Sequence, residues 1–164
     1  MTSNLLMREA SASDQRVLEQ IRREAFEPVF ASFRDILGKE IYELAQQRED
    51  EEQHLILAEM FSKESCWNLY VAEVDSEIVG FVSWQTNLET RVGEIGLNAV
   101  KPRHSGVGVG TRMYEFANAA MKMAGMRVAT VATGGDPSHL PARKAYEKAG
   151  FNVQIPSVWY CRTL

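Results

Sequence analysis

Cysteine is scarce in this chain: Cys66 and Cys161, far apart and outside any CxxC spacing, are the two among 164 residues. That excludes a disulfide framework and a structural zinc site, and two free thiols suit a reducing compartment. A basic excess is missing as well. Lys and Arg total 18 against 22 Asp and Glu, for a net charge of -4, so the clustered positive surface of a nucleic-acid binder is not expected. No apolar run approaches the ~20 residues of a membrane span. The opening "MTSNLLMREASASDQ" has no basic stretch followed by a long apolar core, so it does not read as a secretory signal. Five prolines and eleven glycines form no linker, and no repeat or low-complexity tract appears. The expectation is one cytoplasmic domain, residues 1–164, with no metal, no membrane and no nucleic-acid partner.

What is present is an ordinary globular balance of 45% hydrophobic and 24% charged residues, enough for a continuous core at this length. "NLLMREA" reads as a first strand. "SASD" offers caps for a helix with Val17, Ile21 and Ala25 on one face, which Pro28 is expected to interrupt. Phe33, Ile36, Leu37, Ile41, Leu44 and Ala45 recur at helical spacing. "REDEEQ" reads as a solvated helix face or a helix junction, and "HLILAEMF" continues as helix to about Ser62. "WNLYVAEVDSEIVGFVSWQTN" predicts a hairpin turning at Asp75-Ser76, and "VGEIGLNAV" another strand. A helix from Val109 to Ala124 buries Val109, Met113, Phe116, Ala117, Ala120 and Ala124 and ends at Gly125. "VATVAT", a helix near 138–148, and two closing strands, "FNVQI" and "VWYCRT", complete the pattern. The fold class is α/β.

The densest signal is "RHSGVGVGTRM", residues 103–113. It lacks the lysine of an NTPase phosphate loop. Its GxGxG spacing departs from the dinucleotide fingerprint, and no acidic residue follows about 20 positions on. A loop through Gly106 that opens a helix near Val109 leaves free N–H groups with no side chains in the way, which makes an anion site. Arg103 and the helix dipole add positive potential. The same glycines also fit a tight strand-to-helix turn without a ligand.

"VKPRHSGVGVGTRMYEFA" resembles the signature V-x-P-x-x-[RQ]-G-x-G-[IV]-G-x-x-[LM] of the GNAT acetyltransferases, matching at Val100, Pro102, Gly106, Gly108, Val109, Gly110 and Met113, with Ser105 where the pattern has Arg or Gln. "HLPARKAYEKAGF" is similar to that family's later element, N-x-x-A-x-x-x-Y-[EK]-x-x-G-F, at Ala142, Tyr146, Glu147, Gly150 and Phe151, with His139 in place of Asn. The resemblance covers residues 68–164. It implies a GNAT-like fold: a mixed, mostly antiparallel sheet of about seven strands flanked by about four to five helices. Residues 1–67 would form acceptor-side helices and residues 68–164 the acetyl-CoA-binding core. It further implies acetyl-CoA as co-substrate. Its pyrophosphate would lie on Arg103, Ser105, Gly106, Val107, Gly108, Val109, Gly110 and Thr111, with the backbone of Ala99 and Val100 at the thioester and His139 and Ala142 further along.

The chemistry so implied is transfer of an acetyl group from the CoA thioester to an amine of a small molecule or peptide, by direct attack. It needs a neutral amine, a polarised carbonyl and a proton for the departing thiolate. Tyr146 is the acid the resemblance points to; a core aromatic is the other reading. Glu94 resembles the strand glutamate that serves as base, and equally fits an exposed strand residue with a surface cation as partner. On an unbroken strand, Glu94, Gly96 and Asn98 share a face; Asn98 either orients the acceptor or caps a bulge. Phe26, Phe30 and Phe33 either wall the acceptor pocket or pack the core. The Ser105 and His139 departures leave open a non-catalytic acyl-CoA-binding or sensing domain as the alternative. A homodimer is compatible with the resemblance.

Overall fold

The computed structural model describes residues 4–164; the first three residues of the opening stretch, read as carrying no signal, lie outside the described residues. Five strands form one sheet in sequence order: β1 (Leu5–Glu9), β2 (Asn68–Val74), β3 (Glu77–Asn87), β4 (Val92–Val100) and β5 (Val128–Val131). The first four are mutually antiparallel, and β5 joins β4 in parallel. Helices α1 (Gln15–Ala45) and α2 (Gln47–Met60) cover one face; α3 (Val109–Met123) and α4 (Leu140–Lys148) cover the other.

The hairpin forms where the sequence places it. Asp75 and Ser76 both take positive φ, 51° and 66°, the twist a two-residue hairpin turn demands. β3 lies in the middle of the sheet, and Val79 through Trp84 are buried without interruption, because both of its faces meet helices. Phe81 packs with Leu18, Ile21, Leu57 and Ala99 under α1 and α2. Val82 and Trp84 pack with Met113, Ala117 and Met121 under α3. α3 buries Tyr114 and Met121 in place of the expected Phe116, Ala120 and Ala124; Phe116 is half-buried against Tyr70 and Trp84.

Two expectations need correction. α1 continues through Pro28 and breaks instead at Gly38, whose φ is 71°. Proline forfeits one hydrogen bond, to the Glu24 carbonyl, and the packing of Leu18, Ile21 and Val29 on either side outweighs it. The two closing strands are the second correction. Residues 151–164 carry no regular secondary structure, so the sheet has five strands and not seven. Alternation marks which side chains share a face; it does not supply an edge to pair with.

The start of α1 is tied to the sheet by charge. The Arg8 guanidinium donates to both Asp14 carboxylate oxygens at 2.8 and 3.0 Å and to Glu73 at 2.8 Å, and Asp14 accepts from the Ser11 N–H at 2.7 Å. The Arg8 hydrogen bond leads, against the opposing effect of burial, and with Ser11 it holds the Asp14 carboxyl down at about 2. A depressed carboxylate stabilises fully above its unfolded value near ~3.9 and loses that contribution as pH falls through the folded value. Asp14→Asn is therefore expected to cost about 2 kcal/mol at neutral pH. The difference from wild type should shrink as pH falls from ~4 towards ~2, as read from urea midpoints across that range.

Candidate active site

The site is built where β4 departs from regular pairing. Val82 faces Asn98 and Trp84 faces Ile95, so the single residue Ser83 opposes both Gly96 and Leu97. One extra residue reverses the strand's alternation. Ile95 packs on the α3 side, whereas Leu97 and Ala99 pack on the α1 and α2 side. The bulge is held by Ser83 Oγ donating to the Leu97 carbonyl at 2.8 Å and Asn98 Nδ2 donating to the Gly96 carbonyl at 2.9 Å. Gly96 has no room for a side chain: an added Cβ would lie 2.4 Å from the Trp67 ring.

This corrects the shared face expected of Glu94, Gly96 and Asn98. Glu94 is exposed beside Gln85, whose Nε2 donates to it at 2.8 Å. Asn98 is turned to the opposite face, between two tyrosines. It accepts from Tyr114 Oη at 2.7 Å and donates to Tyr146 Oη at 3.1 Å. The rings of Tyr114 and Tyr146 lie 4.5 Å apart. Because Asn98 donates to Tyr146, the phenol's own proton is left for another acceptor. Burial pushes the Tyr146 hydroxyl above the usual phenol range, with the Asn98 amide and the neighbouring Tyr114 hydroxyl pulling the other way; burial raises Tyr114 further.

Beyond the bulge the sheet opens. β5 pairs with β4 only from Val92 to Ile95, while β4 runs on to Val100. The edge of residues 96–100 therefore fronts a cleft of about 910 Å³. Glu94, Asn98, Ala99, Val100, Ser105, Gly106, Gly108, Gly110, Thr111, His139, Ala142 and Tyr146 all line it.

At the cleft's floor the chain makes a short helical turn, Pro102–His104, then passes through Gly106 and Gly108, with φ of 78° and 92°. Gly108 caps α3 in the left-handed region, which β-branched residues reach only under strain. A Cβ at 106 or 108 would meet nothing within 4 Å, so the first N–H groups of α3 open towards the cleft with no side chain over them. Bare N–H groups at a helix start are donors of the kind that can hold an anion. Val109 is buried in the core, and the Val107 side chain is 74% exposed; neither side chain lines the cleft, though both contribute backbone to the loop.

Arg103 is placed differently from the expectation. Its guanidinium pairs with Glu77, which Lys101 also binds at 2.6 Å. Lys101 first, then Arg103, holds the Glu77 carboxyl below its ordinary range. The cations on the cleft wall are Lys144 and Lys148 of α4. Their i, i+4 spacing was visible in the sequence as one helical face, as was the position of Tyr114 one residue past Met113, but neither spacing names the cleft.

From the other face of the sheet, α1 contributes Ala25, Phe26, Pro28 and Val29 to the cleft wall and α2 contributes Gln53, Ile56 and Met60. Phe30 and Phe33 do not line it. Phe30 faces a separate groove with Arg22 and Tyr42, and the Phe33 ring lies 5.9 Å from that of His139. His139 Nδ1 bonds Asp136, which also accepts from Ser138 and, at 2.9 Å, from Ser32 on α1. Burial alone would raise the Asp136 carboxyl; hydrogen bonds from Ser138, His139 and Ser32 outweigh it and hold it at about 2. Asp136 thus fastens α1, through Ser32, to the turn that opens α4. Among the described residues no three His, Cys, Asp or Glu side chains are grouped to hold a metal ion, and no helix is long and apolar enough to cross a membrane.

Asn98→Ala would remove the bridge between the two hydroxyls and leave the loop intact. The expected result is a fall of about tenfold in kcat, one buried hydrogen bond's worth, with the KM for the thioester co-substrate unchanged. A steady-state comparison of the two constants checks it.

The model of the acetyltransferase (GNAT) family matches residues 19–151. Among curated proteins, none matches this chain significantly. Solved structures do. The PaiA N-acetyltransferase of Thermoplasma acidophilum, in complex with coenzyme A, is 20% identical, with a TM-score of 0.71, covering 94% of this chain and 93% of its own. A GNAT family acetyltransferase of Brucella melitensis, in complex with acetyl-CoA, is 18% identical, with a TM-score of 0.64 over 92% of this chain and 84% of its own. AAC(6')-Iy, in complex with a bisubstrate analogue of CoA and acetylneamine, is 14% identical, with a TM-score of 0.65 over 99% of this chain and all of its own.

Proposed function

Since this chain belongs to the acetyltransferase (GNAT) family, we propose that it is an N-acetyltransferase that moves the acetyl group of acetyl-CoA to an amine of a small molecule or peptide. The observation that carries the reading is the direction of the hydrogen bond at Tyr146, which accepts from Asn98 and so keeps its own proton to give, within a cleft floored by bare helix N–H groups.

The residues present fit the co-substrate. Open space over Gly106 and Gly108 suits a pyrophosphate on the loop amides, with Ser105 and Thr111 hydroxyls beside it and Lys144 and Lys148 supplying the positive charge that Arg103 gives to Glu77. The free edge of residues 96–100 suits an extended amide-bearing arm, which would add to it like a strand. Acetyl-CoA supplies the activated acyl group and a thiolate leaving group. The backbone N–H groups near Ala99 and Val100 polarise the carbonyl. Tyr146 donates a proton to the departing sulfur. Glu94, on the cleft wall, takes the amine's proton directly or through water. Phe26 and Val29 wall the acceptor side, and the protein's net charge of -4 favours a cationic amine.

The test is release of free thiol from acetyl-CoA with a panel of primary amines, alongside thermal shift with acetyl-CoA. Turnover with an amine, reduced about 10²-fold or more in Glu94→Gln, is the expected result. No thermal shift would overturn the coenzyme assignment. A shift without thiol release across the panel would leave a binding domain and overturn the enzyme.

A further inference from the structure

The cleft is lined from both helical layers, and its two sides differ in chemistry. On the α4 side it carries Lys144 and Lys148. On the α1 and α2 side the lining residues include no cation, and among the described residues Glu94 is the only carboxylate anywhere on the cleft. Ile95 packs on the α3 side, so Glu94, its neighbour in the strand, faces α1 and α2. Gln85 donates to its Oε2 at 2.8 Å; among the described residues no hydrogen bond reaches the other oxygen.

The rest of this side is apolar. Phe26 and Val29 of α1, Ile56 and Met60 of α2, and Trp67 line it. The Trp67 ring lies against Gly96, two residues along β4 from Glu94, so closely that an added Cβ would sit 2.4 Å from it. Ile56 is 49% exposed, an aliphatic side chain turned to the cleft and not to the core. Gln53 adds an amide, whose oxygen already accepts from Arg22 at 2.8 Å.

We propose that the acceptor is a primary monoamine with an apolar alkyl or aryl body and no second charge, its ammonium at Glu94 and its body against Phe26, Ile56 and Trp67. This rests on the acetyltransferase reading and narrows its acceptor. One carboxylate neutralises one ammonium. A second ammonium, as in a diamine, polyamine or aminosugar, would lie among apolar side chains without a counter-charge, which is costly. The carboxylate of an amino acid would meet the same wall with no cation to pair. A hydrocarbon chain or ring instead leaves water for apolar surface, a gain that grows with each methylene. In the transfer the C–N bond forms as the C–S bond breaks. Of the two protons the ammonium loses, Glu94 takes one; Tyr146 protonates the departing sulfur and is restored by the other.

The experiment measures kcat/KM, by thiol release from acetyl-CoA, for propylamine, butylamine and hexylamine and for three charged probes. Cadaverine and ε-aminocaproate replace the terminal methyl of hexylamine by an ammonium and a carboxylate; spermidine adds two ammonium groups. The expected result is a rise of about fourfold per methylene along the alkyl series, with hexylamine about tenfold or more above each charged probe. Ile56→Glu, at a half-exposed position, puts a second carboxylate on the wall. It should move the ratio of hexylamine to cadaverine about tenfold or more towards cadaverine; a melting temperature close to that of wild type confirms that it folds, and the wild-type series stands without it. Any charged probe turned over as well as hexylamine would overturn the acceptor class and leave the acetyltransferase standing. So would a ratio that folded Ile56→Glu does not move. Thiol release with none of the amines would overturn the acetyltransferase itself, and the acceptor class with it.

Discussion

Replacing Tyr146 by phenylalanine is expected to lower kcat about 10²- to 10⁴-fold, the span typical of losing a positioned proton donor. The change removes one oxygen. The ring keeps its place against Tyr114 and Phe151, and Asn98 Nδ2 keeps its second acceptor, the Gly96 carbonyl, so the melting temperature and the acetyl-CoA KM should hardly move. The hydroxyl matters because burial keeps it protonated above the ordinary phenol value of 10. The sign follows. A group that must stay protonated works at any pH below its folded value, so the alkaline limb of kcat due to this residue should lie above pH 10 and be absent from Tyr146→Phe. Stopped-assay kinetics across the alkaline range provide both readings. A kcat within about twofold of wild type would reduce Tyr146 to a core aromatic.

Gly108→Val should act on binding. Gly108 holds φ at 92°, where a β-branched residue costs roughly 1–2 kcal/mol or more, and it lines the cleft, so a side chain added there would take up space beside the loop. The expected outcome is a rise of at least tenfold in the acetyl-CoA KM, equal to about 1.4 kcal/mol of lost binding, together with a lower melting temperature. Strain alone would produce the second effect, so a control is needed at the other end of the same helix. Gly125 has φ of 89° and equally open surroundings, but it lies outside the cleft. Gly125→Val should match the loss in melting temperature and leave KM unchanged. Equal KM values for Gly108→Val and wild type would remove the glycine loop from coenzyme binding.

Much of the site was legible in the chain. Tyr146 and the glycines belong to short motifs whose function depends on neighbours a few positions away: a bare loop needs Gly106 and Gly108 in fixed order before a helix start. The hairpin at Asp75-Ser76 was legible for the same reason, since two residues set the turn. The bulge in β4 was not. "VGEIGLNAV" alternates without visible fault, and only pairing with β3 shows that Ser83 opposes two residues and sends Glu94 and Asn98 to opposite faces. Arg103 looked like the cation of the loop because of its position next to it; Glu77, far off in sequence, claims it. Pro28 looked like a helix end because local cost was visible and the packing that repays it was not.

The sequence by itself determined the elements whose causes are local: the hairpin turn, the bare loop before α3, the helical faces, and the alternation of residues 151–162. Tertiary structure decided which of those elements meet. It set the one-residue slip that brings Asn98 between Tyr114 and Tyr146, the parting of β4 from β5 that opens the cleft, and the course of residues 151–164, which do not pair with the sheet. The reason is that backbone conformation depends on neighbours along the chain, whereas hydrogen-bond partners and burial depend on what the fold brings alongside.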